Sequence, residues 1–296
     1  MLAHGTKQQG NSVMRDIYQE VTDRIIAALE SGTAPWLRPW RDGKSGSAQE
    51  PFNALSGRPY NGINLLILGT MPYASLAWLT FKQALELGGN VKKGERGTQI
   101  IFWKFEARKD EETGKVKTIP FARAYTVFNV EQCENLDAAK LKLPAPPTEG
   151  ATDMNALAAR VGAIVRHGGN RAFFSPHHDF VQMPGAETFK SQEHYQATLA
   201  HELTHWTGHD KRCKREFGKR FGDDAYAFEE LVAEIGSAFL CAQHGIALEG
   251  LQHAAYLAGW LKILKEDKRA IFTASSKARE AATFLTGERE EEAIAA

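Results

Sequence analysis

His201-Glu202-Leu203-Thr204-His205 is the stretch that decides how this chain is read. Residues four apart on an α-helix share a face, so both imidazoles can reach one divalent cation. Glu202, between them, is placed to act as general base toward water. The run leading into the motif, Ser191 to Ala200, predicts a helix: it offers a capping serine, no Pro or Gly, and apolar residues at roughly helical spacing. The rival reading is a chance match on a solvated amphipathic helix, and the carboxylates carried by the next helix of the chain weigh against it.

A hydrolytic metal site of this kind needs a third protein ligand and an open fourth position. The extended pattern HExxHxxGxxH is matched only through Gly208, because position 211 is Lys211 and His209 falls two residues early. A glutamate from the next helix is the preferred candidate. In Phe228-Glu229-Glu230-Leu231-Val232-Ala233-Glu234-Ile235 the apolar residues mark a core stripe, while Glu230 and Glu234 share another face. Glu230 is assigned as the ligand and Glu234 as hydrogen-bond partner to the outer nitrogen of a ligating histidine. Glu229 or Glu234 could take the ligand role instead. His177 and His178 could add ligands or proton donors, though an unengaged loop pair is the plainer reading. Tyr226 could donate to an oxyanion, while His194 and His253 read as ordinary helix residues.

The chain has 296 residues, 43% of them hydrophobic and 24% charged, which is length for two domains and composition for a globular protein. No apolar run approaches a membrane span, and the polar N-terminus has no signal core. Cys133, Cys213 and Cys241 form no CxxC pair, which argues against a disulfide framework and fits a cytoplasmic location. Formal net charge is zero, yet residues 1–145 carry 19 Lys/Arg against 15 Asp/Glu. The Pro-rich stretch 143–150 reads as an extended hinge between domains 1–145 and 146–296.

The expected class is α+β. In the first domain a helix is predicted over Ser12–Ser31, another over Ser75–Leu87, and a long β-hairpin pairs Thr98–Arg108 with Lys117–Val130. In the second, helices are predicted over Asn155–His167, through the HExxH motif, and over Ala225–His244, Leu251–Leu264 and Lys268–Leu285. Short strands at Arg171–Phe174 and Phe180–Met183 complete a mostly helical domain with a small sheet.

The first domain also holds four of the six tryptophans, interleaved with cations. Aromatic faces for bases and cations for phosphates are what sequence-tolerant binding of single-stranded nucleic acid requires. Trp36, Arg38, Trp40 and Arg41 are expected to be exposed contacts, with Lys92, Lys93 and Arg96 on a basic turn.

Longer phrases carry a resemblance. Tyr18–Trp36, Gly57–Asn64, Trp78–Thr98 and Ala122–Cys133 closely resemble the ArdC-type antirestriction proteins of conjugative plasmids, whose N-terminal module also occurs in plasmid primases. SPHHDFVQMP, TLAHELTHWTGH and FEELVAEIGSAFL resemble the zincin-like metallopeptidase domain that follows it. The resemblance implies a single-stranded-DNA-binding domain fused to a metallopeptidase-like domain, blunting host restriction of plasmid DNA during conjugation. It places the metal on His201, His205 and a glutamate of residues 229–234, with Glu202 as base. The HExxH motif itself points to Zn²⁺ as the cation, another divalent ion such as Mn²⁺ being the alternative. Double-stranded DNA and a host protein substrate are further expected partners to test, and a membrane is not expected. Two other readings stay open: a regulatory metallopeptidase whose first domain recognises protein, and a DNA-binding protein whose metal is structural.

Overall fold

The computed structural model describes residues 16–32, 34–37, 50–109, 116–142, 153–218, 224–246 and 254–287. The 143–150 hinge and the hairpin tip at 112–115 lie outside them. Helix α1, Ile17–Glu30, is capped by the Asp16 carboxylate, which accepts from the Tyr18 and Gln19 amides, and it buries Val21, Ile25 and Leu29. A 3₁₀ turn follows at Pro35–Leu37. The first sheet has the order β1-β2-β5-β4, built from Phe52–Asn53 (β1), Ala77–Thr80 (β2), Thr98–Lys109 (β4) and Val116–Asn129 (β5). β4 and β5 form the long antiparallel hairpin, in a register that opposes Thr98 to Val127 and Lys109 to Val116. Asn90–Val91 (β3) and Cys133–Glu134 (β6) make a small separate pair beside it.

Two expectations for this half fail for one reason. Residues 75–87 are not one helix but strand β2 followed by the short helix α3, Phe81–Glu86. β2 is central, with Trp78 in the large core and Leu79 in a smaller cluster with Phe52 and Leu87. Burial on both faces erases the polar half of a strand's alternation, so the run imitates helical spacing. Thr80 then starts α3 with a capping box to Gln83. Helix α2, Ile63–Gly69, was not expected at all: it is buried throughout, so it has no amphipathic stripe to recognise. Asn64 on it donates to the Ile101 carbonyl and accepts from the Ile101 amide at 2.7 and 2.8 Å, serving β4 as a strand partner would.

In the second half α4 is Met154–Val161, ended by Gly162 in the left-handed conformation (φ 76°). The helix expected to run on to His167 stops there. Val165–His167 is instead strand β7, parallel to Phe180–Met183 (β9), which pairs antiparallel with Phe173–Ser175 (β8). β8 is therefore an edge strand in the order β7-β9-β8. Four helices follow: α5 Gln192–Thr207, α6 Asp224–Gln243, α7 Ala254–Glu266 and α8 Ala270–Thr286. One contiguous cluster of buried side chains runs from Val21 and Trp36 through Leu66 and Trp78 to Leu203, Phe239 and Leu285. α1 is seated on the helices at the far end of the chain. Tyr18 meets Phe272 edge-on at 4.8 Å, Thr22 Oγ1 donates to the Lys268 carbonyl at 2.7 Å, and Lys268 pairs with Asp16. No helix of the described residues is long and apolar enough to cross a membrane.

Candidate metal centre

The site is made where α5 crosses α6. Small residues allow a close crossing: a Cβ on Gly236 would stand 2.5 Å from Thr204 Cγ2, and Ser237 Oγ donates to the Ala197 carbonyl at 2.9 Å. Thr204 turns its hydroxyl back to the Ala200 carbonyl, leaving its methyl for the contact. This approach sets the histidines of α5 against the carboxylates of α6. His201 Nε2 lies 3.1 Å from His205 Nε2, 3.5 Å separates His201 Nε2 from Glu230 Oε2, and 3.7 Å separates His205 Nε2 from Glu230 Oε1. Ligand atoms of His201, His205 and Glu230 all fall within 4.8 Å of one another, the one such group among the described residues.

The outer nitrogens are also engaged. His205 Nδ1 lies 3.1 Å from Glu229 Oε1 and His201 Nδ1 lies 3.7 Å from Glu234 Oε1. A neutral imidazole whose Nδ1–H faces a carboxylate presents a bare lone pair at Nε2. Two such lone pairs aimed at each other across 3.1 Å repel, unless a cation or a proton stands between them. The charges agree with a cation. Glu202, Glu229, Glu230 and Glu234 are all buried around two imidazoles, with the Arg215 guanidinium set against Glu229. Burial alone would push His205 down, but hydrogen bonds to Glu229 and Glu230 carry it up to about 10. Burial would likewise raise Glu230, yet the two imidazoles hold its carboxyl well below the usual range. The pocket thus demands positive charge, and the donor set, two imidazoles and one carboxylate, fits a divalent ion.

Glu202 is buried beside the cluster. Burial pushes its carboxyl upward, and the Phe174 main chain on edge strand β8 supplies a hydrogen bond. Tyr226 lies close as well, hydrogen-bonded to Glu230 and to Tyr256, with burial raising its phenol. His209 stands apart, its Nδ1 accepting from the Lys211 amide, and His177 and His178 are exposed and pack on one another.

Arg215 was not anticipated. It is buried, donates to both oxygens of Glu229 at 2.8 and 2.9 Å, and also reaches Thr207 Oγ1 and the Thr204 carbonyl. It thereby holds the carboxylate that faces His205. Its only sequence signal is the basic run Lys211–Arg215, which does not say which cation turns inward. Arg212 of the same run lies over the Trp206 ring at 3.7 Å and binds Asp179 through both terminal guanidinium nitrogens. This ties the loop after β8 to the end of α5.

The expected DNA contacts divide. Trp36, read as exposed, is 0% exposed: its ring packs edge-on against Trp260 at 5.5 Å. Burying a large apolar ring outweighs presenting it to solvent, so in this seat it offers no face to a base. Arg38, Trp40 and Arg41 lie outside the described residues. Lys92, Lys93 and Arg96 are exposed on the turn before β4, with Lys92 Nζ donating to the Glu131 carbonyl. Phe81, on α3, is 53% exposed and meets Phe128 edge-on at 6.3 Å.

An HExxH helix crossed by a glutamate-bearing helix, with a small sheet at its side, defines a zincin-like metal centre. Residues 152–277 match the family model of a zincin-like metallopeptidase, and residues 15–128 match that of the N-terminal domain of anti-restriction factor ArdC. The fold is close to the crystal structure of the antirestriction ArdC protein from plasmid R388. In its metal-free form that structure is 42% identical, with a TM-score of 0.76 over 92% of this chain and 97% of that one. Its Mn(II)-bound form gives 40% and 0.75. Among curated proteins, DNA primase TraC of Escherichia coli is 39% identical over 92% of this chain, which spans only 27% of that primase. The uncharacterized protein y4eC of Sinorhizobium fredii is 38% identical over 91% of both chains. The chain belongs to the ArdC antirestriction family.

Proposed function

We propose that this chain is an antirestriction protein that binds single-stranded DNA through residues 1–145 and carries a metallopeptidase-type centre in residues 146–296. It acts in the cytoplasm, protecting plasmid DNA from host restriction during conjugation. The observation that carries the second half is the convergence of His201, His205 and Glu230 beside buried Glu202. His201, His205 and Glu230 hold the cation, Zn²⁺ by donor preference and Mn²⁺ by likeness to the R388 protein. When bound, the cation supplies Lewis-acid polarisation of a carbonyl oxygen and of water. Glu202 takes a proton on its carboxylate, and its burial, which raises the carboxyl, suits it to that role. Glu229, steadied by Arg215, holds the Nδ1 proton of His205, and Glu234 faces His201 Nδ1 at 3.7 Å.

For DNA, the exposed Lys92, Lys93 and Arg96 supply phosphate contacts, together with Arg38 and Arg41, and Trp40 offers a face to a base. Phe81 takes the base-stacking role that buried Trp36 cannot. Phe128, its ring partner, packs over Gly97 at the end of the basic turn, where a Cβ would stand 2.9 Å from the ring. The test pairs salt-dependent binding of a fluorescent oligonucleotide, single- and double-stranded, with restriction assays of cells expressing wild type or Glu202→Ala. Loss of host protection in Glu202→Ala with DNA affinity unchanged supports a peptidase role. Undiminished protection assigns antirestriction to DNA occlusion. No binding of either DNA at low salt removes the DNA reading.

A further inference from the structure

Trp36 begins a file of aromatic side chains that ends at the metal centre. Its ring meets Trp260 at 5.5 Å and 71°, Trp260 stacks on Tyr256 at 6.0 Å and 22°, and Tyr256 lies 6.3 Å from Tyr226 at 39°. The Tyr226 and Tyr256 hydroxyls share a hydrogen bond, and Tyr226 donates to the Glu230 carboxylate. The far end of the file is held tightly. A Cβ on Gly218 would stand 2.2 Å from the Tyr226 amide nitrogen, so only glycine lets that strand of chain press on Tyr226. Gly259 on α7 brings that helix against Ala227, the neighbour of Tyr226, where a Cβ would be 3.1 Å away. The near end is held by α1, which is anchored to α7 and the turn after it through Glu30–Lys265, Asp16–Lys268 and the Thr22 hydroxyl.

We infer that Trp36 is a positioning residue for the metal centre: seated on Trp260, it fixes Tyr256 and Tyr226, and Tyr226 orients the Glu230 carboxylate toward the cation. The inference rests on the ligand set proposed above. Metal affinity then depends on how an N-terminal segment, distant in sequence from the HExxH helix, is packed. By linkage, anything that unseats Trp36 weakens metal binding by the factor that metal strengthens the seating. A side chain that only fills the core would change stability and leave affinity alone, so the two roles separate by measurement.

The experiment uses the full chain, with Mn(II) affinity read from the spin-resonance signal of free Mn(II) and melting of the metal-free protein followed in parallel. His201→Ala should abolish binding. If wild type does not bind, or His201→Ala binds equally well, the ligand reading itself fails. Given a binding wild type, Tyr226→Phe should raise Kd about tenfold, the usual loss when a hydrogen bond to a metal ligand is removed. Trp36→Ala should raise it by a similar factor, Trp36→Phe should restore most of the affinity, and Trp36→Ala in the Tyr226→Phe background should add little. Lowered melting with unchanged Kd in Trp36→Ala would overturn the inference, and so would multiplying effects in the double variant. If Trp36→Ala does not fold, Trp36→Leu and Trp260→Leu take its place in the same cycle, and unchanged Kd in both overturns it.

Discussion

Arg215→Met is the perturbation whose outcome follows most directly from the packing. Arg215 is 4% exposed, and its guanidinium makes hydrogen bonds to Glu229 Oε1 and Oε2, Thr207 Oγ1 and the Thr204 carbonyl, all between 2.6 and 2.9 Å for the closest contacts. Methionine matches the aliphatic stem but leaves the buried Glu229 carboxylate with His205 alone. Breaking a buried pair by removing one partner costs about 3–5 kcal/mol, because the other charge stays where water cannot reach it. For a chain of this size each kcal/mol moves the melting point by about 2–4 °C, so a fall of roughly 6–20 °C is expected. Denaturant titration of the metal-free protein gives the free energy, and adding Glu229→Gln identifies its origin. The double variant should recover at least about half of the loss, since no unpaired charge remains. A loss below about 1 kcal/mol in Arg215→Met, or strictly additive losses in the double variant, would refute the argument that Arg215 compensates Glu229.

Three further outcomes are expected. Asp179→Asn should cost about 1 kcal/mol at neutral pH by loosening the loop after β8 from Arg212. Arg212 holds the Asp179 carboxyl below its ordinary value of 3.8, so this stabilisation is present above that pH and is lost as pH falls through the lowered value. Stability curves of wild type and Asp179→Asn should therefore converge in acid, and parallel curves would count against the ion pair. Replacing Lys92 and Lys93 with Gln should weaken oligonucleotide binding and flatten the salt dependence by about one unit per lost phosphate contact. An unchanged slope moves the DNA face elsewhere. Phe81→Ala should weaken single-strand binding by about 1–3 kcal/mol with the salt slope kept, and an equal loss on duplex DNA would argue against base stacking.

The meeting of these histidines and glutamates was legible because helical geometry is local. His201 and His205 are a turn apart by sequence, and the glutamates of residues 228–235 sit in a run whose apolar residues mark its buried side. Glu230 faces both Nε2 atoms, at 3.5 and 3.7 Å, with Glu229 and Glu234 on the Nδ1 sides of the rings. The long hairpin was readable for a similar reason, as two β-rich arms flanking one turn. What failed were segments whose pattern is erased by burial on all sides, β2 and α2, and the helix read as far as His167, although Gly162 already supplies the left-handed cap. Arg215 and Trp36 could not be placed from sequence because long-range packing decides them. An arginine in a basic run and a tryptophan beside arginines resemble surface residues until Glu229 and Trp260 are brought against them.

Metal stoichiometry by native mass spectrometry of the intact chain and four single variants tests the central claim most directly. The account predicts one divalent ion per chain in wild type and in Glu202→Gln, loss in His201→Ala and Glu230→Ala, and only weakened binding in Glu234→Ala. Full occupancy in Glu230→Ala, with the ion lost in Glu234→Ala instead, would contradict it.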